Sequence, residues 1–154
     1  MKLTEHLTPS LVKVPLNASD KVQAITELVD LMVANGVSRD REPLLAAVLE
    51  RESQRTTGIG RGFAIPHAKT DSVHQLVIAF GRTAKPLDFG AIDGAPVQLI
   101  ALLASPSKDT SKHIQALARL SRLAITPAIR DGLLAAKTAD AAYQIIAAND
   151  AATP

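Results

Sequence analysis

The stretch VQLIALL, from Val97 to Leu103, is the most apolar segment of this chain. An unbroken apolar run of this length is typical of a strand that is buried on both faces of a sheet. The pair Asp93-Gly94 predicts a turn just before it. Both faces of a sheet that contains such a strand must be covered by other elements, and helices are the usual cover. The segment therefore predicts an α/β fold.

The rest of the chain supplies helices and two shorter strands. The predicted helices begin at Ser19 (ending at Gly36), at Asp40, at Thr110 or Ser111, at Thr126-Pro127 and at Thr138. The shorter strands are predicted at Gly62 to Ile65 and at Leu76 to Phe80. We predict one domain over residues 1–154, with a central mixed sheet flanked by helices on both faces. Its core spans about residues 4–148, and a short frayed tail begins at Asn149.

Composition excludes several classes of function. The chain of 154 residues has no cysteine, which excludes disulfides, zinc–thiolate sites and cysteine nucleophiles and favours the cytoplasm. The longest apolar run, Leu99 to Ala104, is far shorter than the roughly 20 residues that cross a bilayer. A net charge of +2 and 3% aromatic residues argue against a nucleic-acid surface. We expect neither nucleic-acid binding nor insertion into a membrane.

The stretch GIGRGFAIPHAK, from Gly58 to Lys69, presents a histidine after a glycine-rich turn. Pro66 fixes its own φ and biases Ile65 toward an extended conformation, so His67 follows a stiff strand end. The glycines allow backbone N–H groups to approach an anion closely. Two arginines, Arg51 and Arg61, are near in sequence. These residues alone are compatible with a phosphate-binding histidine site and equally with a tight turn that joins a helix to a strand.

The other three histidines have simpler interpretations. His6 and His74 lie in polar stretches and are predicted to be solvated surface residues. His113, in the first turn of a predicted helix, is expected to be a surface or capping histidine. No HExxH motif or other zinc spacing occurs, so no metal is expected, and no GxSxG motif supports a hydrolase.

A longer pattern carries a family resemblance. RESQRTTGIGRGFAIPHAK, from Arg51 to Lys69, resembles the active-site signature of enzyme IIA proteins of the bacterial phosphoenolpyruvate-dependent phosphotransferase system, in the fructose–mannitol–nitrogen class. The segment from Lys85 to Leu123 resembles the downstream half of the same family, apart from Ser107, where the family often has an acidic residue. The resemblance covers nearly the whole chain, to about Ala148.

The resemblance implies a set of roles. His67 would carry a phosphoryl group on Nε2, Arg51 would neutralise its charge, and His113 would lie beside the active histidine. A phosphate loop of Thr57, Gly58, Gly60 and Gly62 would add backbone donors. The resemblance also implies a histidine phosphocarrier protein as the donor, no cofactor, and docking over His67. Apolar candidates for the docking patch are Phe63, Ile59 and Ala68, although Phe63 is at least equally compatible with the core.

Three functions remain open. Details such as TGIG and DFGAIDG favour nitrogen-type regulation, in which phosphorylation controls binding to a transporter or kinase. The alternative is sugar uptake, in which a fructose- or mannitol-type IIB domain accepts the phosphoryl group. A binding module without transfer activity is the third, and intact His67, Arg51 and His113 argue against it.

Overall fold

The computed structural model describes residues 1–154 and is built around one antiparallel strand pair. These strands are β5 (Val77–Leu87) and β6 (Val97–Ser105), with Phe80 opposite Ala101. Every residue of β6 except Gln98 is buried, which confirms a strand covered on both faces. Both strands are longer than predicted, and β6 continues through Ala104 to Ser105.

The sheet extends from this pair in both directions. On one side, β1 (Val12–Leu16) pairs with β5 in parallel. On the other edge of β6 lie two short parallel strands, β3 (Phe63–Ala64) and β4 (His67–Lys69), and β2 (Gly58–Gly60) pairs antiparallel with β3. The order is β1-β5-β6-β3-β2, with β4 also on β6. The six-stranded sheet is mixed, as predicted, although β1, β2 and β4 were not predicted.

Five helices complete the α/β fold. They are α1 (Lys21–Ala34), α2 (Arg41–Gln54), α3 (Thr110–Ile125), α4 (Pro127–Ala135) and α5 (Ala139–Ala152), preceded by short 3-10 turns at Leu3–Glu5 and Pro9–Leu11. The pair α1 and α2 forms one group, and α3, α4 and α5 form another; each group packs on the sheet. None of these helices combines the length and apolar character that a bilayer span requires.

Two predicted helix starts are corrected by one residue. The N-cap of α1 is Asp20, whose carboxylate accepts a hydrogen bond of 2.8 Å from the Gln23 amide, and Ser19 instead contacts the Gln23 side chain. The N-cap position of α3 is Asp109, so Thr110 and Ser111 already lie in its first turn. Short polar side chains compete for such positions, and sequence alone does not rank adjacent candidates.

The last residues are not a frayed tail. Helix α5 continues to Ala152, and Asp150 is only 2% exposed. Its carboxylate accepts hydrogen bonds from the amides of Leu3 at 2.9 Å and Thr4 at 3.1 Å. The N-terminal turn thus holds the end of the chain, a long-range contact that the local sequence does not encode.

Candidate active site

His67 is held at the start of β4 by the strand beside it. Pro66 interrupts the extended chain between β3 and β4, and its carbonyl accepts a hydrogen bond of 3.0 Å from the Leu103 amide. His67 is paired with Leu103 and Lys69 with Ser105. Side chains alternate along a strand, so His67 and Ser105 project from the same face of the sheet. The half-buried imidazole therefore has a fixed platform.

The ring of His67 has a defined tautomer. Nδ1 lies 2.8 Å from the carbonyl oxygen of Ile65, and a carbonyl can only accept, so Nδ1 carries the hydrogen. In the neutral ring, Nε2 then keeps its lone pair. Burial lowers the pKa of His67 and the charge of Arg51 lowers it further, against the opposing effects of the Ile65 carbonyl and Glu52. The imidazole is thus mostly neutral at pH 7.

His113 lies beside His67 and not on the surface. The two ring centroids are 5.4 Å apart, with the ring planes at 64°. His113 is 5% exposed, and its Nδ1 lies 2.6 Å from the hydroxyl of Ser105. Burial, followed by the charges of His67 and Lys69, lowers the pKa of His113 to about 4. The expectation of a surface or capping histidine is wrong, because α3 turns this residue toward the sheet.

The buried face of helix α3 is rotated, by less than one residue, relative to the apolar face that its sequence predicts. The spacing of Ile114, Leu117, Leu120 and Leu123 predicts one apolar face. Leu120 and Leu123 are buried as this spacing predicts, but the other buried positions are His113, Ala116 and Ala124. Ile114 is 61% exposed. The rotation brings an imidazole into the site and leaves apolar side chains at its margin.

Arg51 completes the cluster from the last turn of α2. Its Nη1 donates a hydrogen bond of 2.9 Å to the Arg55 carbonyl, which anchors one side of the guanidinium. A shallow depression of about 390 Å³ is lined by Arg51, His67 and His113 together. A neighbouring one of about 300 Å³ also includes Arg51 and His67. Two cationic side chains, Arg51 and Lys69, and two imidazoles therefore meet at an open surface.

The glycine-rich segment forms a hairpin of β2 and β3. Gly60 and Gly62 have φ of 101° and 78°, and they do not line either depression beside His67. The amides of Thr57 and Gly58 already donate to Glu52 at 2.9 Å and to Thr56 Oγ1 at 3.1 Å. Arg61 also lies outside both depressions, and its amide binds Asp93. Thr57 and Gly58 line the second depression, whereas Gly60 and Gly62 lie outside both, and the contribution of the loop to phosphate binding stays a prediction.

Two supporting side chains were not identified as site residues from sequence. Ser105 ends β6 and contacts His113, and a hydroxyl at the end of an apolar run was the available signal. Glu52, next to Arg51, is 6% exposed and accepts hydrogen bonds from the amide and hydroxyl of Thr57 and, at 2.9 Å, from Lys21 Nζ. It ties the connection after α2 to α1, and no local pattern indicates this contact.

The remaining candidates lie elsewhere or are buried. His6 is half-buried, with Nδ1 3.1 Å from the Leu76 carbonyl, so it is not the solvated residue expected; His74 is exposed, as predicted. Phe63 and Ala68 are buried in the core, which removes both from the predicted docking patch, whereas Ile59 is half-buried. No group of three or more His, Cys, Asp and Glu side chains has a metal-binding arrangement.

Comparison with known proteins identifies the family. The model of the phosphoenolpyruvate-dependent sugar phosphotransferase system EIIA 2 family matches residues 5–149. The fructose-specific EIIABC component of Bacillus subtilis is 41% identical over 97% of this chain, which spans only 24% of that protein. The fructose-specific EIIA component of Haloferax volcanii is 38% identical over 92% of each chain.

A solved structure agrees in both fold and sequence. The nitrogen regulatory protein IIA-Ntr of Neisseria meningitidis superposes with a TM-score of 0.85 at 30% identity, covering 92% of this chain and 97% of that one. The family match over almost the entire length, together with these relatives, shows that the chain belongs to the EIIA type 2 family of the phosphoenolpyruvate-dependent phosphotransferase system.

Proposed function

We propose that the protein is a phosphohistidine carrier that accepts a phosphoryl group on Nε2 of His67. The observation that supports this most is the 2.8 Å hydrogen bond from Nδ1 to the Ile65 carbonyl. It fixes the tautomer in which Nε2 holds a lone pair, and the lowered pKa keeps that lone pair unprotonated. Membership of the EIIA type 2 family supports phosphoryl transfer in general terms.

The step is an exchange between two imidazoles. The donor is a phosphohistidine on a small histidine phosphocarrier protein. The lone pair of His67 Nε2 forms a bond to phosphorus while the donor's N–P bond breaks and its electron pair returns to the donor ring. The hydrogen on His67 Nδ1 stays in its hydrogen bond with Ile65 throughout. Such a transfer has a loose transition state, so positioning and charge neutralisation dominate its rate.

Arg51 and His113 act on the transferring group. The guanidinium of Arg51 retains donors beyond the one bound to Arg55 and can hold two phosphoryl oxygens at once. His113 is close enough to His67 to reach an oxygen of the same group. Its ring stays neutral well below pH 7, so it acts as a hydrogen-bond donor without a full charge.

The surface around His67 suits a transient partner. Ile92 and Leu117 line the second depression, and Ile92 is 68% exposed. Ile114, at 61%, follows His113 in α3. Carrier proteins that must dissociate quickly use small, partly apolar interfaces. Ile92, Ile114 and Leu117 therefore replace Phe63 and Ala68 as the proposed docking residues.

The downstream partner has two candidates. Nitrogen-type regulation of a transporter or kinase is the role favoured by the sequence, and the Neisseria structure supports it. Transfer to a fructose-type IIB domain is supported by the names and the higher identities of the two fructose-specific relatives. Incubating the phosphorylated protein with a purified fructose-type IIB domain separates them, since only the second role requires transfer to IIB.

Labelling with phosphoenolpyruvate, the general phosphotransferase enzyme and its histidine carrier tests the proposal directly. The wild-type protein should gain one acid-labile, base-stable phosphoryl group, and His67→Ala should gain none. The matched control is His74→Ala, which removes an exposed imidazole outside both depressions beside His67 and should label normally. Full labelling of His67→Ala, or an acid-stable product, would refute the assignment.

A further inference from the structure

Ser105 is a buried hydroxyl with a single polar contact. It ends β6, is 0% exposed, and its Oγ lies 2.6 Å from Nδ1 of His113. Its neighbours in β6 from Leu99 to Ala104 are all apolar, so they offer its side chain no alternative polar group. The backbone carbonyl of Ser105 is occupied by the Thr70 amide at 2.7 Å. The hydroxyl thus has one function in the fold, which is its contact with His113.

The direction of this hydrogen bond follows from the number of donors. A serine hydroxyl has one hydrogen, and a neutral imidazole has one protonated nitrogen. If Nδ1 of His113 donated to Oγ, the serine hydrogen would be left without an acceptor in a fully buried position. Leaving such a donor unpaired costs about 1–3 kcal/mol. If the serine donates to Nδ1 instead, both groups are satisfied and the ring hydrogen lies on Nε2.

The second arrangement has a consequence for the shared depression. Because Nδ1 is directed at the buried serine, Nε2 is the His113 nitrogen that remains for the depression lined by His67 and Arg51. In the serine-donor tautomer this nitrogen presents N–H. In the opposite tautomer it would present a lone pair, which repels phosphoryl oxygens. The contact with Ser105 thus determines whether His113 attracts or repels a phosphoryl group.

We propose that Ser105 is a positioning residue that holds His113 as its Nε2–H tautomer, so that His113 donates a hydrogen bond to a phosphoryl group on His67. The catalytic consequence rests on the proposed function, whereas the tautomer belongs to the unphosphorylated protein. Ser105 and His67 project from the same face of the sheet, two residues apart in register, so the serine reaches His113 without contacting the phosphoryl group itself.

The tautomer can be measured without any partner protein. In long-range ¹H–¹⁵N correlation spectra of histidine-labelled protein at pH 7, His113 should show a protonated Nε2 and an unprotonated Nδ1. Ser105→Ala removes the donor and should shift the ring toward the Nδ1–H form or a mixture, while Ser105→Thr keeps a hydroxyl and should preserve the wild-type pattern. The matched control is Ser111→Ala, an exposed hydroxyl in the same helical turn. An Nδ1–H ring in the wild type, or no change in Ser105→Ala, overturns the proposal.

The second readout is the lifetime of the phosphohistidine. Loss of one neutral hydrogen bond predicts a half-life about three- to tenfold shorter in Ser105→Ala, with recovery in Ser105→Thr. An unchanged lifetime despite a shifted tautomer would show that His113 does not support the phosphoryl group. If the protein accepts no phosphoryl group at all, the proposed function fails, and the spectra of the unphosphorylated protein still decide whether Ser105 controls the tautomer. If Ser105→Ala fails to fold, the wild-type and Ser105→Thr spectra decide this point.

Discussion

Replacing His113 with glutamine should remove a specific pH dependence from the stability of the protein. The buried ring has its pKa lowered from 6.5 to about 4. In the unfolded chain the same imidazole titrates near 6.5. As the pH falls through this range, the unfolded state takes up a proton that the folded state does not, so the folded state loses stability relative to the unfolded state. The contribution is complete above pH 6.5 and lost by about pH 4.

The size of the effect follows from the same values. Each pH unit between the two pKa values is worth about 1.4 kcal/mol. Proton uptake by this one ring therefore lowers the free energy of unfolding by roughly 2 kcal/mol at pH 5 and by roughly 3 kcal/mol at pH 4. Glutamine does not titrate, and its amide can still accept from Ser105. His67 and the carboxylates are present in both proteins, so their contributions cancel in the difference.

Urea unfolding at several pH values from 7 to 4 measures this difference. The free energy of unfolding of the wild type, minus that of His113→Gln, should fall by roughly 2 kcal/mol between pH 7 and pH 5. Ser111→Ala is the matched control, because it removes an exposed side chain in the same helical turn without changing the number of titratable groups, and it should give a constant difference. A constant difference for His113→Gln would refute the reasoning, since it would mean that the folded ring takes up its proton at the same pH as the unfolded one.

Substitutions at three further positions distinguish residues of the candidate site from residues that stabilise the fold. Arg51→Ala should slow phosphoryl acceptance in rapid-quench labelling by roughly a hundred- to a thousandfold. Arg51→Lys should recover only part of this rate. A wild-type rate in Arg51→Ala would show that Arg51 is only a surface residue at the end of a helix. Glu52→Ala should lower the urea midpoint of unfolding, because Lys21 and the Thr57 amide lose a buried partner. An unchanged midpoint would contradict a stabilising role for Glu52. Asp150→Ala should cost about 3–5 kcal/mol of unfolding free energy, since it leaves Arg119 without its carboxylate partner and two amides without an acceptor. An unchanged free energy of unfolding would contradict this.

The elements that the sequence predicts are those with a strong local signal. The run from Val97 to Leu103 has one interpretation because its apolar residues are continuous, and it proved to be the doubly covered strand β6. Strand β1 reads VKVPL and has no such signal, since it combines a lysine and a proline and is completed by pairing with β5. Its formation depends on a partner more than 60 residues away, as the pairing of Val12 with Phe80 shows.

The position of His113 shows why the candidate site was only partly predictable. Apolar periodicity favours burying Ile114, and hydrophobicity alone gives no reason to bury an imidazole one residue earlier. The structure buries the imidazole because Ser105 satisfies one nitrogen. Burial of a polar ring is tolerated when its hydrogen bonds are met. The rotation of α3 therefore depends on the contact of His113 with Ser105, eight residues earlier in the chain. The apolar pattern within the helix contains no information about this contact.

The glycine-rich signature has a structural role that the sequence did not indicate. A Cβ on Gly58 would lie 2.8 Å from the Cβ of Ala91, and Gly60 and Gly62 have positive φ. These glycines are therefore required by close packing and by a tight hairpin, and the hairpin leads directly into the Ile65-Pro66-His67 segment. The cation and the second imidazole come from Arg51 and His113, on two separate helices. The signature thus specifies the placement of His67, whereas the groups around His67 are assembled by the fold. Gly58→Ala should consequently lower the free energy of unfolding, whereas phosphoryl acceptance by His67 in the molecules that remain folded should change less.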